Sequence, residues 1–137
     1  SFRASSADDA PHVSLIATAG NGVDLHWRAT AGGQTQRLGQ QPTGAFAPVY
    51  LKLERKGNTF SASRSDDGSA WTPVGEASVV LPSVAQAGLI ACAVSTTTSA
   101  TIEFARYYSR GITNAPVAQV EIAGDLDLAT SNRGSCR

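Results

Sequence analysis

The residues best equipped for chemistry lie in one short stretch, Val23-Asp24-Leu25-His26-Trp27-Arg28, where a carboxylate, an imidazole and a guanidinium alternate with apolar side chains. Alternate side chains of an extended strand share a face, so Asp24, His26 and Arg28 point the same way. His12 and Ser14 fall where an adjacent strand would add them to that face, and Arg3 could join them. Such a row of planar donors and acceptors can hydrogen-bond sugar hydroxyls while nearby aromatics cover the sugar's apolar faces. The plainer reading is a solvated sheet face with cross-strand pairs. Arg3, His12, Asp24, His26 and Arg28 are the candidate ligand-binding residues.

Other constellations carry less. His12 and His26 could give zinc two ligands, but no cysteine or third histidine stands at a suitable spacing, so no metal site is expected. Asp66 and Asp67 are hard oxygen donors that could hold calcium, yet two carboxylates are too few and turn chemistry is the expected role. Trp71 after Asp66-x-Gly68 is similar to the sialidase Asp-box, Ser-x-Asp-x-Gly-x-x-Trp, with Arg64 in place of the serine. That likeness implies a turn folded over a core tryptophan, with a sugar platform as the alternative. Glu54, Glu76, Glu103 and Glu121 stand singly and Asp125-x-Asp127 lies in a polar tail, so the paired carboxylates of a glycosidase are missing. A Gly-x-Ser-x-Gly elbow is missing too, and no catalytic residue is expected.

The elements that must position these residues are strands. Residues 12–18 and 23–30 are β-type runs around Ala19-Gly20-Asn21-Gly22, whose Asn-Gly suits a tight reversal. A second hairpin sets Val49, Leu51 and Leu53 against Tyr50, Lys52 and Glu54, turns at Lys56-Gly57-Asn58 and returns over 59–64 with Phe60 and Ala62 inward. The intervening 31–48 is loop-like, with at most a short strand around 35–38. After the 65–69 reversal, 77–81, 87–94 and 100–107 read as strands, and only 82–86 could form a helical turn. Tyr107 and Tyr108 would place one ring on each face. The expected core is Val13, Leu15, Val23, Leu25, Trp27, Leu51, Leu53, Phe60, Leu89, Ile102 and Phe104. Short strands at this spacing predict an all-β, antiparallel two-sheet sandwich or jelly roll over 1–110, then a linker, one further strand at 117–122 and a tail.

Composition bounds the function. The 137 residues hold 11 basic and 11 acidic side chains, scattered, which gives no electrostatic footprint for nucleic acid or an anionic membrane. The longest apolar run, 87–94, falls far short of the roughly 20 residues that span a bilayer. Low charge, no Met and abundant small polar residues point to the extracellular space or periplasm, with any secretion signal removed or upstream of Ser1. In an oxidising compartment Cys92 and Cys136 can pair with each other, or Cys136 can reach another chain; the rival reading is a buried thiol and a terminal one.

The succession Phe2-Arg3, Pro11-His12-Val13-Ser14-Leu15, His26-Trp27-Arg28, Leu51 to Phe60, Ser65 to Gly75 and Ala87-Gly88-Leu89 resembles the bacterial concanavalin A-like jelly-roll modules described as regulation-of-enolase-protein-like. The resemblance covers about residues 2–106. It implies an appended module of a larger secreted protein or complex; with no catalytic residue expected, the polar face of Asp24, His26 and Arg28 makes glycan binding the expected activity. A structural subunit of an extracellular assembly, or an accessory subunit of a secreted enzyme, is the alternative. In that family the part matching Phe2-Arg3 is an internal strand preceded by several others. The resemblance therefore implies a second polypeptide or a neighbouring copy that completes the sandwich by strand addition, or a contribution from 111–137.

Overall fold

A computed structural model describes residues 1–18, 21–39, 49–91 and 103–106 of the chain. The elements are β1 (Phe2–Arg3), β2 (His12–Thr18), β3 (Gly22–Arg28), β4 (Gln36–Arg37), β5 (Tyr50–Lys56), β6 (Thr59–Ser65), β7 (Thr72–Ser78) and β8 (Gln86–Ala87). No helix occurs among the described residues, and none is long and apolar enough to cross a membrane. The chain divides into two units, Ser1–Ile90 and Ala91–Arg137, and both sheets belong to the first. Of the second unit only residues 91 and 103–106 are described.

The strands form two antiparallel sheets, β4-β3-β2-β1-β8 and β5-β6-β7. Each long hairpin arises where two alternating runs flank a glycine that accepts a positive φ: 83° at Gly22 and 63° at Gly57. Pairing is in register, Leu15 opposite Leu25 and Leu53 opposite Ala62. A one-residue slip would turn every apolar side chain outward, so the alternation itself fixes the register.

The apolar faces of the two sheets share one core, as in a β-sandwich. Val13, Leu15, Val23 and Leu25 come from the first sheet and Phe60, Ala62, Val74 and Ala77 from the second, with Val79 and Leu81 beside them. Phe60 is wholly buried; its ring lies 5.6 Å from that of Phe2 in the other sheet, tilted at 59°. Val74 is the extra residue of a bulge, since Ser63 pairs with Pro73 and Ala62 with Gly75. Arg55 shares the inner side of β5 with Leu51 and Leu53. Its guanidinium lies 5.6 Å from the Phe60 ring and donates to the carbonyls of Leu81 at 2.7 Å and of Pro82 and Gly57 at 2.8 Å. It thereby ties the segment after β7 across the end of the core.

Several expectations need correction. The strand expected at 77–81 is instead β7 at 72–78, because the bulge lets Val74 and Ala77 both turn inward. No strand extends over Gly88–Ala91 or Glu103–Arg106, and no helical turn forms at 82–86. Trp27 and Leu53 pack at the core's margin, Phe104 is half-buried, and Leu51 and Leu89 are exposed. Leu51 lies near the start of β5 and Leu89 beyond the end of β8. Ile102, Cys92, Cys136, Tyr107, Tyr108 and residues 111–137 lie outside the described residues.

Candidate functional site

The strand register places all five candidate residues on one face of the first sheet, opposite its core face. Arg3 pairs with His12 and His12 with Arg28, which makes one row across β1, β2 and β3. In the next row Ser14 pairs with His26 and His26 with Arg37 of β4, and Asp24 follows opposite Ile16. Arg37 is a residue that sequence reasoning missed. The sequence predicts at most a short strand in its loop, but which strand it joins, and hence which side chain it faces, is a non-local fact.

The face is not the wet surface that alternation suggests. His12, Ser14, Asp24 and Arg28 are buried, Arg3 and His26 are half-buried, and Arg37 is exposed. The chain between β1 and β2 folds back over this row and is held there by the candidate residues themselves. Arg3 donates to the carbonyls of Ala7 at 2.7 Å and Ser5 at 3.3 Å, and Arg28 to that of Asp8 at 3.0 Å and to Thr35 Oγ1 at 3.3 Å. Buried charged groups persist when their hydrogen bonds are made, and here the backbone supplies the acceptors. Arg3, His12 and Arg28 therefore hold loops, while Asp24 and His26 stand at the open end. Asp24 Oδ1 accepts from Gly39 N at 3.1 Å and Oδ2 from His26 Nε2 at 3.0 Å. Among the described residues no cluster of three metal-binding side chains occurs.

His12 makes this face sensitive to pH. A carbonyl only accepts, so Nδ1 carries the proton shared with Ala10 O at 3.3 Å. Burial pushes the imidazole below its ordinary range; the Ala10 hydrogen bond opposes the shift, while the charges of Arg28, Arg3 and His26 add to it. Between the lowered folded pKa and the ordinary value near 6.5 the unfolded chain binds more protons. Stability is therefore complete above about pH 6.5 and falls as the pH drops through the folded pKa. Urea midpoints measured from pH 8 to 5 should decline over this window in the natural chain and stay flatter in His12→Gln.

The second sheet presents a different surface. Ser65, buried at the end of β6, accepts from Gly68 N at 2.8 Å and donates to Asp67 Oδ1 at 2.9 Å; that oxygen also takes Ser69 N at 2.8 Å and Ala70 N at 2.9 Å. Asp67, not Asp66, is thus the turn-forming carboxylate, with Ser65 its partner. Asp66 instead pairs with Arg64 at 3.3 Å. Both carboxylates serve the turn and its flank, as turn chemistry implied.

The turn does not bury its tryptophan. Trp71 is 37% exposed and its ring lies 4.8 Å from Lys52 Nζ. Strand order sets β6 between Trp71's own β7 edge and Lys52 on β5, so the indole reaches across the sheet's outer face. Tyr50, 41% exposed, shares that side of β5, and a Cβ on Gly68 would meet its ring at 3.2 Å, so the phenol packs on the same turn. The expectation of a core tryptophan is corrected: Trp71 precedes β7 on the outer side, where no second layer of described residues covers it. Ser61, Glu76 and Glu54 supply polar groups on this face, Ser61 Oγ donating to Glu76 at 2.7 Å. No protein-family model, no curated protein and no solved structure matches this chain.

Proposed function

We propose that this chain is a secreted, non-catalytic glycan-binding module of the concanavalin A-like jelly-roll kind, and that Trp71 with Tyr50 and Lys52 is its principal contact surface. The observation that carries the reading is the Trp71 indole lying open across the outer face of the second sheet. An exposed aromatic ring can stack on the apolar face of a pyranose, and flanking hydroxyl, ammonium and carboxylate groups can meet its hydroxyls. Strands and a hydrogen-bonded turn hold the ring, so little ordering remains to oppose binding. The sequence holds no Glu-x-Asp-x-x-Glu run of the kind that carries the paired carboxylates of jelly-roll glucanases, which favours binding over cleavage.

A glycan array followed by calorimetry tests this. Saturable binding is expected, with Trp71→Ala weakening it at least about tenfold, or about 1.4 kcal/mol, while circular dichroism stays unchanged because the ring lies outside the core. Unaltered affinity in Trp71→Ala, or no saturable glycan at all, would refute the reading; the latter outcome would turn attention to a structural role.

A further inference from the structure

His26 and Arg37 form a second arrangement, on the opposite side of the sandwich from Trp71. The His26 side chain is 28% exposed, that of its partner Asp24 only 5%. A carboxylate accepts, so the imidazole donates through Nε2, and in the neutral ring Nδ1 presents a lone pair. Nδ1 makes no hydrogen bond among the described residues. Asp24 is fixed in turn by Gly39 N, so the acceptor is held in orientation rather than free to flip. Directly opposite in register stands Arg37, exposed and without a hydrogen bond or ion pair among the described residues.

An oriented acceptor beside a planar guanidinium matches one ligand chemistry closely. A carboxylate can take two parallel N–H bonds from Arg37 while a hydroxyl on the neighbouring carbons gives its proton to His26 Nδ1. Cross-strand partners stand about 5 Å apart at Cβ, within the span of such a hydroxy acid. Arg37 itself supplies the positive charge that favours an anion at this end of the face. We infer that His26 and Arg37, with Asp24 as the positioning residue, form a binding site for a hydroxy-carboxylate, and that its glycan form is a uronic acid residue. The site goes beyond the aromatic platform and does not depend on it, since the two surfaces face away from each other across the core.

The test uses the full chain and three probes: galacturonic acid, galactose, which lacks the carboxylate, and acetate, which lacks the hydroxyl. Histidine ring signals followed by NMR should report saturable binding of galacturonic acid through His26, with galactose and acetate at least about tenfold weaker. Arg37→Gln should lose about the same factor, and Lys56→Gln, which removes an exposed cation of the second sheet, should bind galacturonic acid as the natural chain does. Equal binding of galacturonic acid and acetate, an Arg37→Gln variant with natural affinity, or an equal loss of galacturonic acid binding in Lys56→Gln would each overturn the inference. If galacturonic acid fails while a neutral glycan binds through Trp71, this site is refuted and the platform reading stands.

Discussion

Replacing Phe60 with alanine is expected to cost about 3 to 5 kcal/mol of folding stability. The ring is wholly buried, stands in the middle strand of the three-stranded sheet and meets Phe2 of the other sheet at 5.6 Å, with Arg55 5.6 Å away on its own sheet. Its removal deletes an aromatic contact between the layers and leaves a cavity bounded by strands that cannot collapse without breaking their ladders. Arg55 would then hold its charge beside that void. A domain of this size is stable by about 5 to 15 kcal/mol, so the loss would consume much of the margin and lower the melting temperature by about 12 °C or more. Urea denaturation of Phe60→Ala beside Phe60→Leu measures it, the leucine variant losing less because it refills part of the space. A loss below about 1 kcal/mol in Phe60→Ala would show that the two layers are not joined through this ring.

The second large effect is expected at Asp24. Asp24→Ala removes both acceptor oxygens from a buried position, leaving the Gly39 amide and the His26 Nε2–H without the partners that hold them at 3.1 and 3.0 Å. Both donors are partly open to water, so the loss is nearer that of one hydrogen bond to a charged group, and about 2 kcal/mol is expected. Asp24→Asn keeps one acceptor in nearly the same shape and should lose less. Two further readouts separate this from general loosening: the Gly39 amide should exchange faster with solvent, and the His26 ring nitrogens should shift toward a mixture of tautomers. A ring that keeps its tautomer in Asp24→Ala would mean that the carboxylate does not orient it.

The two long hairpins were legible in the sequence because what builds them is local. Period-two alternation and a glycine at each reversal suffice to set β2 against β3 and β5 against β6, as the structure has them. The shared face of Arg3, His12, Asp24, His26 and Arg28 follows from the same alternation. The burial of His12, Asp24 and Arg28 does not, because it depends on loops folding over the row, and a strand pattern says which side a residue faces but not what lies above it. Trp71 fails for the converse reason. Tryptophan beside a turn favours burial on average, but the sheet here has its covered side on the other face. The Asp-box likeness points to Asp66 as the box carboxylate, whereas Asp67 takes the turn's backbone hydrogen bonds, since neighbouring aspartates in a reversal are alike until those bonds distinguish them. Arg55 was overlooked as a core-side residue because charge suggests solvent, whereas its hydrocarbon stem and planar head can lie along an aromatic ring while its N–H groups find carbonyls.

The Ser65–Asp67 turn also bears on how the protein ages. Asp-Gly is the dipeptide most open to isomerisation, because glycine has no side chain to shield its amide nitrogen from attacking the preceding carboxyl and closing a succinimide ring. Asp67-Gly68 has that sequence but withholds both reactants. The Gly68 N–H is donated to Ser65 Oγ, and the Asp67 carboxylate is held by the Ser69 and Ala70 amides and the Ser65 hydroxyl, which keep it ionised to below its ordinary range. Closing the ring requires the nitrogen to turn toward the carboxyl carbon and the carboxyl to give up these partners, so the turn must open first. Isoaspartate at residue 67 would therefore accumulate only while this corner of the molecule is open, and its content in a stored sample would serve as a clock of cumulative opening.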